Sequence, residues 1–119
     1  MGYCAWQTDS KFFIAQTNLK KAEKALNDFM EFEQPLEDHL GDYGFEVAFD
    51  ISGNLIDLTF TGEKLTCQDD ILEVLAPFSE NGSYIEMVGE DFEQWRWVVK
   101  NGKIAEITPK IIWDQEEES

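Results

Sequence analysis

Few of the side chains from which catalytic sites are built occur in this chain. His39 is its only histidine, and Cys4 and Cys67 are its only cysteines. A zinc site or a Cys-His nucleophile needs several such groups brought together. Neither cysteine lies in a Cys-x-x-Cys pair, so either centre would have to be assembled from isolated parts. The cysteines read instead as free buried thiols of a reducing cytoplasm. The carboxylate pairs Glu37-Asp38, Asp69-Asp70 and Glu90-Asp91 could serve acid–base work or hold a hard cation, but adjacent side chains on a helix or turn diverge. The segment Asp50-Ile-Ser-Gly-Asn lacks the alternating oxygen ligands and closing Glu of a calcium loop. Gly41, Gly44, Gly53, Gly62, Gly82, Gly89 and Gly102 fall where turns need them and not in a phosphate cradle. The expectation is a protein that is not an enzyme and takes neither cofactor nor metal.

Charge is the stronger signal. Against 25 Asp and Glu stand 9 Lys and Arg, a formal net charge of −16 on 119 residues. Phosphate backbones are held by Lys and Arg that displace counterions, so direct nucleic acid binding is not expected, and an anionic membrane would repel the chain. Such a charge favours fast steering onto a basic partner. Between Lys24 and Lys64 lie Asp28, Glu31, Glu33, Glu37, Asp38, Asp42, Glu46, Asp50, Asp57 and Glu63 with no Lys or Arg among them. A second such interval runs from Asp69 to Glu93.

The elements that must position these acids follow from periodicity. Tyr3 to Thr8 is β-prone, and Phe12-Phe13-Ile14 continues it in extended or bulged form. Thr17 or Asn18 would cap a helix whose Leu19, Ala22, Ala25, Leu26, Phe29 and Met30 recur at three and four, leaving Lys20, Lys21 and Lys24 outward. Leu36 to Leu40 forms a second helical turn, closed by Gly41 and Gly44. From Phe45 the period becomes two. Val47, Phe49 and Ile51, then Ile56, Leu58 and Phe60, point inward about a Ser52-Gly53-Asn54 turn. Thr66 and Asp69 resemble a capping box opening a helix with Ile71, Leu72 and Leu75 inside, ended by Pro77. Tyr84 to Val88, Gln94 to Lys100 and Lys103 to Thr108 make a meander, the last two joined by the hairpin signal Asn101-Gly102. Trp95 and Trp97 share one strand face, either packed on the helices or exposed as an aromatic anchor for a partner protein. Pro109 moves Ile111-Ile112-Trp113 to an edge or a docked tail.

This order is that of an α+β domain of the ferredoxin-like, split βαβ kind: β-α-β-β-α-β, with one or two further C-terminal strands and both helices on one face. Residues 1–114 are expected to form that single domain and 115–119 an acidic disordered tail. The runs Tyr3-Cys-Ala-Trp-Gln-Thr-Asp-Ser-Lys-Phe-Phe-Ile, Gly82-Ser-Tyr-Ile-Glu-Met-Val-Gly-Glu-Asp and Trp95-Arg-Trp-Val-Val-Lys-Asn-Gly-Lys resemble small ferredoxin-like proteins of bacteria, phages and plasmids. That resemblance implies the fold and a bacterial or mobile-element setting, and carries no catalytic residue with it.

With the alternating apolar positions turned to the helices, Glu46, Asp50 and Asp57 fall on the open sheet face. Residues two apart on a strand are separated by about 6.6 Å, comparable to the spacing of phosphates along a nucleic acid strand. Together with Asp38 and Asp42 they form the candidate partner-binding set. The function expected is that of a cytoplasmic, non-enzymatic inhibitor of anti-CRISPR or anti-restriction type. It would occupy a basic, nucleic-acid-handling protein by imitating the polyanion. Alternatives are an immunity protein neutralising a basic toxin such as a nuclease, and a small regulatory binding domain. A hydrolase or transferase built on His39 or Asp69-Asp70 is a remoter class. No membrane association is expected, and the chain could act as monomer or homodimer.

Overall fold

A computed structural model describes residues 3–110. The expected edge or docked tail at Ile111-Ile112-Trp113 and the acidic tail at 115–119 lie outside the described residues. The chain runs β1 (Tyr3–Lys11), α1 (Gln16–Met30), α2 (Leu36–Asp42), β2 (Phe45–Phe49), β3 (Leu55–Phe60), β4 (Lys64–Leu65) and α3 (Gln68–Leu75), which passes into a 3-10 turn (Ala76–Phe78). The meander β5 (Tyr84–Gly89), β6 (Gln94–Lys100) and β7 (Lys103–Ile107) completes it. The class is α+β, as the change from three-and-four to two-residue periodicity predicts.

The strands do not take the expected split βαβ order. Five form one sheet, β4-β1-β5-β6-β7, antiparallel at every pairing, while β2 and β3 form a separate two-stranded ribbon. The ribbon is attached to β1 by other means. Gln7 Nε2 donates to the Leu58 carbonyl at 3.3 Å, and the Phe60 N–H donates to Gln7 Oε1 at 2.7 Å, so one side-chain amide replaces a rung of a strand ladder. Further on, Ile14 and Leu55 exchange both backbone bonds at 2.9 Å. Between these points β1 slips register between Gln7 and Asp9, an irregularity of the kind that bends a strand.

A second register slip decides which hairpin residues are buried. Ala48 pairs with Asp57 and Phe49 with Leu55, so Ile56 is bulged out and the inward phase changes. Phe45, Leu55, Leu58 and Phe60 enter the core, whereas Phe49, Ile56 and the turn residue Ile51 are exposed, the last completely. That corrects the expectation that Phe49, Ile51 and Ile56 face the helices. Gly44 is required at the entry to β2. Its φ is +88°, and a Cβ there would lie 2.9 Å from the Phe60 ring.

The helices are capped differently from expectation. Thr17 and Asn18 lie inside α1, whose first amide, Gln16 N–H, donates to Asn54 Oδ1 of the β2–β3 turn at 2.7 Å. Thr66 does not cap α3. Its own N–H donates to Gln68 Oε1, while Gln68 Nε2 donates to the Tyr43 carbonyl. Pro77 ends α3 within the 3-10 turn as expected, and Asn101 and Gly102 both take positive φ, as a two-residue hairpin turn requires. Ala22 and Leu26 of α1, Ile71, Leu72 and Leu75 of α3, and Ile85, Met87, Trp95, Trp97 and Val99 of the sheet share one core. The indoles are thus packed inside rather than displayed as an exposed stripe.

Candidate functional site: an acidic surface built on the first two helices

His39 anchors the segment that carries most of the acids. It is buried between α1, α2 and their connection. Its Nε2 lies 2.7 Å from Asn27 Oδ1, and Gln34 Nε2 donates to its Nδ1 at 3.0 Å, a pairing that requires the neutral Nε2–H tautomer. Asn27 Oδ1 also accepts from Gln34 N–H, and the Phe32 ring lies 5.2 Å from the imidazole. Each polar atom of the histidine has a partner. The side chain therefore fastens two helices, the role expected of a buried, satisfied polar group. The N–H of Leu36, at the start of α2, donates to Glu23 Oε1 of α1 and closes the same joint.

On this frame Glu31, Glu33, Glu37, Asp38 and Asp42 are exposed along the α1–α2 connection and α2. β2, which packs against α2, adds exposed Glu46. Among the expected contact residues, Asp38 and Asp42 lie on α2, and Glu46 lies on β2, on the ribbon face opposite Phe45 and Val47. Asp42 also accepts from Gln34 Nε2 at 2.9 Å.

Asp57 shares that ribbon face with Glu46, and Asp50 follows β2, but both are half-buried and hydrogen-bonded within the fold. Asp50 Oδ1 accepts from Ser52 N–H and Asn54 N–H, and its Oδ2 accepts from Asn54 Nδ2. Those bonds, that from the Asn54 side chain first, hold its carboxyl below the usual range. Asp57 Oδ1 accepts from Ser10 Oγ and from Leu58 N–H, each at 2.9 Å. An evenly spaced row of free carboxylates on one strand face is not formed.

The open face of the five-stranded sheet carries a different chemistry from the acidic one expected. By register and two-residue period it presents Trp6 of β1, Tyr84, Glu86 and Val88 of β5, Arg96, Val98 and Lys100 of β6, and Lys103 and Ile107 of β7. Glu86 Oε2 accepts from Thr8 Oγ1 at 2.8 Å and Glu86 Oε1 from Arg96 Nε at 2.7 Å; these bonds, that from Thr8 first, hold its carboxyl below the usual range. The guanidinium lies 4.6 Å from the Tyr84 ring centre, and Tyr84 Oη donates to Asp9. Period-two reading of Arg96 and Tyr84 could have found this cluster, because cross-strand neighbours share a face.

Electrostatically the acidic surface is almost uncompensated. Among the described residues the ion pairs are Lys24–Asp28 at 3.7 Å and Arg96–Glu86 at 2.7 Å. No group of three His, Cys, Asp or Glu side chains able to hold a metal ion occurs among the described residues, and no helix of theirs is long and apolar enough to cross a membrane. No protein-family model, curated protein or solved structure matches the chain.

Proposed function

We propose that this chain is a non-enzymatic, protein-binding inhibitor that occupies a basic, nucleic-acid-handling protein in place of its polyanion, in the manner of an anti-CRISPR or anti-restriction protein. The supporting observation is the exposed run of carboxylates on the α1–α2 connection, α2 and β2, none of which forms an ion pair with a lysine or arginine among the described residues. Asp38, Asp42 and Glu46 are the contacts, joined by Glu37. Asp50 and Asp57 act indirectly, by holding the β2–β3 ribbon that presents Glu46. The carboxylates are borne on two helices and a strand, so the imitation is of charge density and not of a regular phosphate ladder.

A second reading, an immunity protein that covers a basic toxin, draws on the exposed apolar side chains Phe49, Ile51 and Ile56 at the ribbon's end. Those side chains would bury as a salt-insensitive anchor beside the acids. The two readings differ in what competes. Affinity capture from the native host, with the bound protein identified and challenged by salt and by DNA or RNA, tests both. The first reading expects a basic nucleic-acid-binding partner, released by nucleic acid, lost in moderate salt and lost in the Asp38→Lys, Asp42→Lys, Glu46→Lys variant. A partner that is not basic, or a complex indifferent to salt and to the triple variant, overturns it.

A further inference from the structure

The open face of the five-stranded sheet is the part of the surface that the net charge does not explain. Lys11, Arg96, Lys100 and Lys103 all lie on it by register, in a chain with only 9 Lys and Arg and a net charge of −16. Its acids are already engaged: Asp9 accepts from the Tyr84 hydroxyl at 2.8 Å, and Glu86 accepts from Arg96 and Thr8. Lys11, Lys100 and Lys103 form no ion pair among the described residues. Apolar surface lies beside the cations. Trp6 is 52% exposed and Ile107 38%, with Val88 and Val98 half-buried between them. The helices α1 and α3 pack against the opposite face, that of Ile85, Met87, Trp97 and Val99.

Strand direction brings one segment of the chain to the margin of this face. β7 is an edge strand whose Ile107 pairs with Arg96, so the chain leaves the sheet at the Gln94 end of β6. Lys100 and Lys103, paired with each other, lie at the far end. Pro109 has no N–H and cannot extend the ladder. A cavity of about 260 Å³ opens at that exit, lined in part by Glu86, Arg96, Ile107, Thr108 and Pro109. After Lys110 the sequence reads Ile111-Ile-Trp-Asp-Gln-Glu-Glu-Glu, apolar first and acidic after. The face runs in the matching order, from Trp6, Val88 and Ile107 to Lys11, Lys100 and Lys103. The lengths agree as well. From Gln94 to Lys100 β6 covers about 20 Å, and an extended chain from Lys110 to Glu116 takes the same number of steps over the same distance.

We propose that the open sheet face is the docking site of the chain's own segment Ile111 to Glu118, folded back at Pro109 and Lys110. Its isoleucines and Trp113 cover Val88, Val98 and Ile107, and Glu116, Glu117 and Glu118 meet Lys11, Lys100 and Lys103. The tether favours this occupant over a separate acidic one. Another polyanion, a second copy included, must approach a molecule that carries −16, whereas a segment on a short tether is present at an effective concentration of about millimolar. Docking neutralises the basic patch, so a basic partner meets acids without a competing basic face. The inference does not depend on the nucleic-acid-mimic reading, which concerns residues on α2 and β2.

The test is NMR of the full chain. NOEs are expected from the Trp113 indole to the methyl groups of Val98 and Ile107, and they should not change on dilution. Glu116→Lys, Glu117→Lys and Glu118→Lys together should abolish them while the amide shifts of β5 and the core stay in place. Lys100→Glu with Lys103→Glu should abolish them too. Combining the two sets restores opposite charges and should bring the NOEs back. A free peptide of residues 111–119 should bind the lysine-tail variant, whose face is vacated, about tenfold or more tightly than it binds the parent, where the tethered copy competes. The proposal is overturned if Trp113 makes no contact with this face in the parent, if either charge reversal leaves the contact intact, or if the combined variant does not recover it. Equal binding of the peptide to parent and variant overturns it as well, and NOEs that weaken on dilution assign the face to a second copy instead. Capture of a basic partner through Asp38, Asp42 and Glu46 can fail while these NOEs are present, and the converse holds.

Discussion

Asn54 shows how much a single turn residue can organise. Its Oδ1 accepts the first free amide of α1, its backbone N–H and side-chain Nδ2 both donate to Asp50, and its carbonyl accepts from Asp50 N–H at 2.9 Å. One side chain therefore joins the tip of the ribbon to the start of a helix. Replacing a capping Asn by Ala costs about 0.5–2 kcal/mol, so Asn54→Ala should lower the urea midpoint accordingly with the m value unchanged. Thr17 and Asn18 have the right chemistry for a cap, and local pattern favours them. The residue that serves lies thirty-eight positions on, beyond the reach of any sequence window. Tyr3 and Asp91 give a second case, with a pH signature. Their hydrogen bond raises the phenol to about 12 and lowers the carboxyl. The phenol's contribution is complete below its ordinary value of 10.0 and is lost as pH rises through about 12; the carboxylate's is present above its ordinary 3.8 and is lost as pH falls below it. Tyr84, raised by its bond to Asp9, adds to the alkaline limb. In Tyr3→Phe the decline of stability between pH 10 and 12 should be shallower than in the parent, measured by urea denaturation at each pH. An unchanged slope would mean that the pair does not persist in solution.

At the scale of elements, the consequential departure is the ribbon β2–β3, which stands apart from the main sheet and is joined to β1 by the Gln7 amide. Local periodicity places the two strands and their turn correctly, since each depends on neighbours in sequence. It cannot place the bulge opposite Ala48 and Phe49, because that slip is fixed by the Ile14–Leu55 bridge and by Gln7, contacts between distant segments. The same limit hid the strand order and the fit at Gly89, which pairs with Ala5 of β1. A Cβ there would lie 1.9 Å from the Tyr3 hydroxyl, so the bare backbone is what lets the ring cross β5 toward Asp91 and Trp95. Two variants separate these joints. Gln7→Leu keeps bulk but strands the Phe60 N–H and the Leu58 carbonyl. A loss of about 1–3 kcal/mol follows if Phe60 N–H stays buried, with faster hydrogen exchange at Phe60 ahead of the β5–β6 amides. Gly89→Ala should instead swing the Tyr3 ring out, removing the alkaline signature of the Tyr3–Asp91 pair and shifting the Trp95 indole resonance while the ribbon's exchange is unaltered. If Gln7→Leu exchanges uniformly across both sheets, the ribbon is not a separate unit.

Across the whole molecule, charge is the property most legible from composition and least legible in its placement. The cation-free interval after Lys24 marks a real surface, because Glu31, Glu33, Glu37, Asp38, Asp42 and Glu46 are exposed. Two of its later members, Asp50 and Asp57, are drawn into the fold by backbone and hydroxyl donors that an interval of charges does not reveal. The cations also segregate. Arg96, Lys100 and Lys103 gather on the open sheet face, and Lys20, Lys21 and Lys24 are carried by α1. Since ion pairs among the described residues number two against a net charge of −16, repulsion between carboxylates outweighs attraction between opposite charges. Added salt screens both terms. The Debye length falls from about 30 Å at 0.01 M to about 10 Å at 0.1 M, which removes long-range repulsion while leaving contact pairs largely intact. The isolated chain should therefore gain stability as sodium chloride rises through that range, seen as a higher urea midpoint at constant m, and the gain should level off once the screening length is shorter than the spacing of the acids. The same addition should weaken capture of a basic partner. Opposite responses of the free chain and the complex are the signature of a surface that holds its acids at a cost in stability for the sake of association; a midpoint that falls with salt would instead place the balance in local ion pairs and remove the electrostatic ground for the acidic surface.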